Sequence, residues 1–99
     1  MRRGSTPTNT FTVEIDLRNA TVYVSYEQDG VVVLEKTGDA LTVSSTSIVL
    51  QLTQEETMLF HPGKVLIQIA YVFPDGSADR SDIISTTFER IIKDEVIYP

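Results

Sequence analysis

The chain holds one histidine and no cysteine, so few arrangements for covalent or metal chemistry are open to it. His61 could act as a general base. A nucleophilic mechanism also needs a hydroxyl and an orienting acid around it, and no spacing here suggests them. His61 beside Pro62-Gly63 therefore reads as a solvated turn residue. Asp75, Asp79 and Asp82 lack the Asp-x-Asp-x-Asp-Gly spacing and distal bidentate Glu of a calcium loop, and read as a turn and a polar edge. Glu55 and Glu56 are adjacent carboxylates, but sequence neighbours on a short helix point apart. The glycines stand singly, so no phosphate-cradling loop is formed. These readings predict no catalytic residue, no cofactor and no metal site.

What remains is surface for binding. Tyr23 falls on the outward face of its predicted strand, and Tyr98 lies near the chain end. Tyrosine offers large rigid area with a polar tip, which suits interfaces. Val96-Ile97-Tyr98 is apolar after the charged Lys93-Asp94-Glu95, and Arg2-Arg3 is the only pair of adjacent basic residues. Arg2, Arg3, Tyr23, Val96, Ile97 and Tyr98 are thus the candidate interface residues. The formal net charge of −6, with scattered lysines and arginines, disfavours nucleic acid as a partner. Polar residues 4–10 follow Met1-Arg2-Arg3 where a signal peptide needs an apolar core. No run approaches a membrane span, so no membrane partner is expected.

The elements that must position these residues are strands. Phe11, Val13, Ile15 and Leu17 alternate with Thr12, Glu14 and Asp16, a two-residue period that sorts side chains onto two faces. Residues 1–10 read as a flexible arm, 11–92 as one β-domain and 93–99 as a tail. Strands are expected over 10–17, 20–27, 31–37, around Leu41–Val43, around Ile48–Leu52, over 64–73 and over 82–92. Arg18-Asn19 makes a tight turn. Thr53-Gln54-Glu55-Glu56 is a capping box that starts a short helical turn, and Pro62-Gly63 stops it. Lys64–Phe73 is apolar on both faces and so predicted central.

Two Asp-Gly pairs mark hairpins. At Gln28-Asp29-Gly30, a two-residue loop would mix polar and apolar residues on both faces. A three-residue loop with a bulged glycine pairs Tyr26 with Val32 and Val24 with Leu34, leaving Tyr23 opposite Glu35 and Ser25 opposite Val33. That register is the expectation. Pro74-Asp75-Gly76 predicts a second turn of the same kind, with both glycines at positive φ. The predicted core is Val13, Ile15, Val22, Val24, Leu34, Ile48, Leu50, Ile67, Ile69 and Phe88. Short strands at roughly ten-residue spacing predict an all-β, immunoglobulin-like antiparallel sandwich with one short helical turn.

Several segments resemble a known group of proteins. Arg2-Arg3-Gly4-Ser5-Thr6-Pro7-Thr8 leading to Phe11-Thr12-Val13 is similar to the start of small proteins encoded in tail regions of phages and prophages of Gram-positive gut bacteria. The likeness continues through residues 24–30, 52–57 and 62–65, and through Phe73-Pro74-Asp75-Gly76 to Arg90-Ile91-Ile92-Lys93-Asp94. The opening also resembles the N-terminal domain of siphophage upper baseplate proteins, an all-β module that helps attach receptor-binding parts. The chain lacks the long helical region and distal domain of those proteins. The resemblance implies a virion protein made in the bacterial cytoplasm. It would be a tail or baseplate accessory acting through contacts with other tail proteins or with copies of itself. A small ligand- or carbohydrate-binding module is the alternative.

Overall fold

The computed structural model describes residues 1–99 and is an all-β sandwich of two antiparallel sheets. Strands β1 (Thr8–Thr12), β4 (Thr42–Val43) and β5 (Ser47–Gln51) form the smaller sheet, in the order β1-β5-β4. Strands β2 (Thr21–Gln28), β3 (Val31–Thr37), β6 (Gly63–Val72), β7 (Ala78–Arg80) and β8 (Ile84–Phe88) form the larger. Its order is β3-β2-β6, and the far side of β6 is shared by β7 and β8. Helix α1 (Gln54–Thr57) lies on the crossover from β5 to β6, between the sheets. A single 3-10 turn spans Gly38–Ala40. No helix is long and apolar enough to cross a membrane.

Alternation builds the core as expected. Val22, Val24 and Tyr26 of β2 share the inner face of the large sheet with Val65, Ile67 and Ile69 of β6, and Ile48 and Leu50 close over them from the other sheet; all are buried. The centre is aromatic. Phe60 stacks on Phe88 at 4.6 Å between centroids and meets Tyr26 edge-on at 6.1 Å. Burial pushes the Tyr26 hydroxyl up to about 12, although Asn9 donates a hydrogen bond to it at 2.9 Å across the sheets. The capping box is present in full: Glu56 N–H donates to Thr53 Oγ1 at 3.1 Å, and Thr53 N–H donates to Glu56 Oε1 at 2.8 Å. Strand β6 is central, with β2 on one side and β7 and β8 on the other.

Four expectations are corrected. The first hairpin has a two-residue loop: Gln28 pairs with Val31 and Glu27 with Val32, and Asp29 and Gly30 both have positive φ, at 55° and 79°. This is the primed turn whose twist matches the strands. A bulge at Val33 then shifts the register, so Tyr26 pairs with Leu34, Ser25 with Glu35, Val24 with Lys36 and Tyr23 with Thr37. One extra residue turns Lys36 to the core side, where its ammonium meets Glu56 of α1 at 2.6 Å. Second, the β1 ladder ends at Thr12. Ile15 falls on a bend and is 36 % exposed, while Leu17 is buried again, its N–H donating to Ser45 O. Third, β7 was not expected. Ser77 to Arg80 have no apolar member but Ala78, so no period betrays the strand; it pairs with the last third of β6. At the break between β7 and β8 the Ser81 hydroxyl accepts the Ile69 N–H at 3.0 Å, standing in for a backbone acceptor. Fourth, β8 spans Ile84–Phe88 instead of 82–92.

The second hairpin is as expected. Gly76 N–H donates to Phe73 O at 2.9 Å, Phe73 N–H donates to Ser77 O at 2.8 Å, and Gly76 has φ of 89°. That is a three-residue loop with a bulged glycine.

Candidate functional site

Residues 1–10, expected as an arm, lie along the domain. Met1 O accepts from Glu89 N–H at 2.8 Å, Arg2 forms a parallel bridge to Glu89, and Pro7 O accepts from Leu52 N–H before β1 begins at Thr8. Arg3 is the hub. Its guanidinium donates to the Phe60 carbonyl and to Asp94 Oδ1, each at 2.5 Å, and its side chain is only 16 % exposed. An arginine held by a carbonyl and a carboxylate from two other segments ties the chain start, the exit of α1 and the tail together. Arg2 instead remains on the surface, its Nε 3.0 Å from Glu89 Oε2.

The tail joins the same patch. The Gln54 side-chain amide pairs with the Ile97 backbone in both directions at 2.9 Å, accepting from its N–H and donating to its carbonyl. Val96 is half-buried, while Ile97 and Tyr98 remain exposed. The structure thus brings Arg2, Arg3 and Ile97 to one shallow hollow with Gln54. Tyr23 is not part of it. It lies half-buried mid-sheet on the outer face of β2, between Thr37 and Ala70.

His61 has partners that the sequence did not reveal. Its Nε2 is 2.5 Å from Asp29 Oδ2 and its Nδ1 is 3.0 Å from the Pro62 carbonyl. Both are acceptors, so the doubly protonated ring satisfies both. The Pro62 carbonyl first and the Asp29 carboxylate second raise the His61 pKa above 6.5. Behind it, buried Gln28 grips the His61 backbone, donating to its carbonyl at 2.8 Å and accepting from its N–H at 3.0 Å. Nothing in sequence marks Gln28, because its partner is 33 positions away.

The carboxylates do not converge. Asp75 Oδ1 accepts from the Ser77 hydroxyl at 2.6 Å and its N–H at 2.8 Å, which lowers its pKa. Glu56 is committed to Thr53 and Lys36. Burial pushes its pKa up, but Lys36 and the Thr53 backbone outweigh that, and the net shift is downward. No group of three or more carboxylates or histidines is close enough to hold a metal ion.

One feature was not legible beforehand. A cleft of about 660 Å³ opens between the sheets beside β1. Phe11, Val13 and Ile15 form one wall, and Ile69, Tyr71 and Ile84 the other. Its two charged lining residues, Glu14 and Asp82, are both acidic and exposed.

No family model matches the chain, and no curated protein or solved structure matches it.

Proposed function

We propose that this protein is a non-enzymatic structural component of a phage or prophage virion, an accessory of the tail or baseplate that acts through protein–protein contacts. The observation that carries the reading is the run of segments from Arg2-Arg3-Gly4 to Arg90-Ile91-Ile92 that resembles small tail-region proteins. Its working surfaces would be the patch of Arg2, Arg3, Val96, Ile97 and Tyr98, with Tyr23 on the outer sheet face. Exposed Ile92, Ile97 and Tyr98 support it, since several large apolar side chains left in water near one chain terminus suit a contact surface.

The test is co-expression with the products of neighbouring genes, followed by pull-down and mass spectrometry of purified particles. A stoichiometric complex with a tail protein, and the chain in the particle, is the expected result. A monomer at high concentration that binds no co-encoded protein and is missing from particles overturns the proposal. A small ligand- or carbohydrate-binding module is the second reading, favoured by Tyr71 and Phe11 in the cleft. A glycan array would then give specific binding that Tyr71→Ala abolishes.

A further inference from the structure

We infer that the free edge of β1 and the cleft beside it accept an extended strand from another polypeptide, apolar at alternate positions and carrying lysine or arginine where it passes Glu14 and Asp82. The inference deepens the proposed function and rests on it for the existence of a protein partner.

The backbone states the demand first. Pro7 O accepts from Leu52 N–H at 3.0 Å and Val13 N–H donates to Thr46 O at 2.9 Å, so the odd-numbered residues of this stretch bond to the β5 side. Antiparallel alternation then turns the N–H and C=O groups of Thr8, Thr10 and Thr12 to the side away from β5. No strand pairs there. An extended peptide is the one ligand shape that meets such a row at the strand repeat.

The other edges are protected and this one is not. Sheet edges are blunted by shortness, charge, bulges or a covering segment. Strand β3 carries the bulge at Val33 together with Glu35 and Lys36. Strand β4 has two residues, and β7 has three, with Asp79 and Arg80 among them. The end of β8 is covered by Met1, whose amino group donates to Thr87 O and whose carbonyl accepts from Glu89 N–H. Strand β1 has five residues, an even register, and no charge or proline from Thr8 to Thr12.

The cleft adds selectivity. An added strand would send every second side chain between the sheets, toward Ile69, Tyr71 and Ile84, so those positions should be apolar. Ile84 is 40 % exposed and Ile15 36 %, and both would gain cover. Glu14 and Asp82 line opposite walls with no cation within ion-pair distance of either, so basic residues on the incoming strand would be favoured and acidic ones disfavoured.

The probe is the synthetic peptide acetyl-Lys-Val-Thr-Ile-Thr-Val-Lys-amide, titrated into the intact protein and followed by amide NMR. Exchange at Thr8, Thr10 and Thr12 is expected to slow about tenfold or more at saturation, as for newly bonded edge amides. Thr10→Pro removes one edge donor but no bond to β5, and should weaken binding about tenfold while leaving the melting temperature unchanged. If that variant fails to fold, the same peptide N-methylated at alternate residues tests the point on native protein and should not bind. A peptide with glutamate in place of both lysines should bind more weakly, and Glu14→Lys should reverse that order. Absence of slowing at millimolar peptide, or perturbations centred on β3 or the outer face of the large sheet, overturns the inference. Protection of Thr8, Thr10 and Thr12 that grows with protein concentration alone also overturns it, assigning the edge to a second copy. If Thr10→Pro still binds a tail protein as native protein does, the edge inference fails and the assembly reading stands. A peptide that binds as expected when no tail protein does leaves the edge standing and removes the assembly reading.

Discussion

Two hairpins in this domain use the same dipeptide and fold it differently. At Asp29-Gly30 both residues take positive φ and the loop is two residues long; at Asp75-Gly76 only the glycine does, and the loop has three. The preceding residue decides. Pro74 is locked near φ of −65°, which suits the first central position of an ordinary turn, so Asp75 follows in the right-handed region and Gly76 takes the left-handed one. Gln28 has no such constraint and is drawn into β2 by its grip on the His61 backbone. Asp29 is then left in the loop, where aspartate tolerates positive φ better than most residues. The first turn is buttressed by a distant contact, whereas the second is complete within its own residues.

The largest test asks whether the two hairpins belong to one cooperative unit. Ile67 and Ile69 lie on β6, which the first hairpin packs against and the second extends. Truncating either to Ala should cost about 2–5 kcal/mol and lower the stability of both hairpins together in denaturant unfolding. A shift below about half a kilocalorie for both would deny β6 its central place.

Gln28→Ala comes next. It leaves the His61 N–H and carbonyl without their protein partner and should cost about 1–3 kcal/mol by thermal melting. The distinguishing readout is the first hairpin: its loop should loosen in amide exchange while that at Gly76 is unchanged.

The glycines themselves should behave alike. A Cβ at Gly30 or Gly76 meets nothing within 4 Å, so Gly→Ala at either site carries only the left-handed strain of about 1–2 kcal/mol. The aspartates should differ in sign. Asp29→Gly relieves a positive φ and, measured at a pH above the folded His61 value where the pairing with His61 is lost, should be neutral or stabilising. Asp75→Gly loses both bonds to Ser77 and should lower the melting temperature. Equal effects from the two would erase the distinction between the turns.

The smallest effect is in pH, and the hairpins sit at opposite ends of the scale. The His61 pKa is raised in the folded state, so its pairing contributes fully below pH 6.5 and is lost as pH rises through the folded value. The Asp75 pKa is lowered, so its contribution is present above pH 3.8 and is lost as pH falls through the folded value. Comparing melting curves, the deficit of Asp29→Asn should shrink as pH rises through the folded His61 value and that of Asp75→Asn as pH falls through the folded Asp75 value.

Much of the fold is legible in the sequence. The alternation of Val22, Val24 and Tyr26 and of Val65, Ile67 and Ile69 sorts core from surface by period alone, and the central place of β6 followed from apolar residues on both faces. The Thr53–Glu56 capping box and the Pro74 turn are complete within four residues each. The candidate site was less legible. Arg2, Arg3 and Ile97 meet in one hollow, but Tyr23 stands apart, and the β1 cleft combines residues from three distant stretches of chain.

The sequence by itself determined strand periods, caps and the positive φ of both turn glycines, because each is a local conformational preference of one to four residues. Only the tertiary structure decided the bulge at Val33, the inward turn of Lys36 to Glu56, and the division of β6's partner into β7 and β8. A one-residue slip changes every cross-strand pair at once while barely altering local preference. Its outcome therefore depends on contacts such as Gln28 to His61 and Ser81 to Ile69, between residues that only the folded chain brings together.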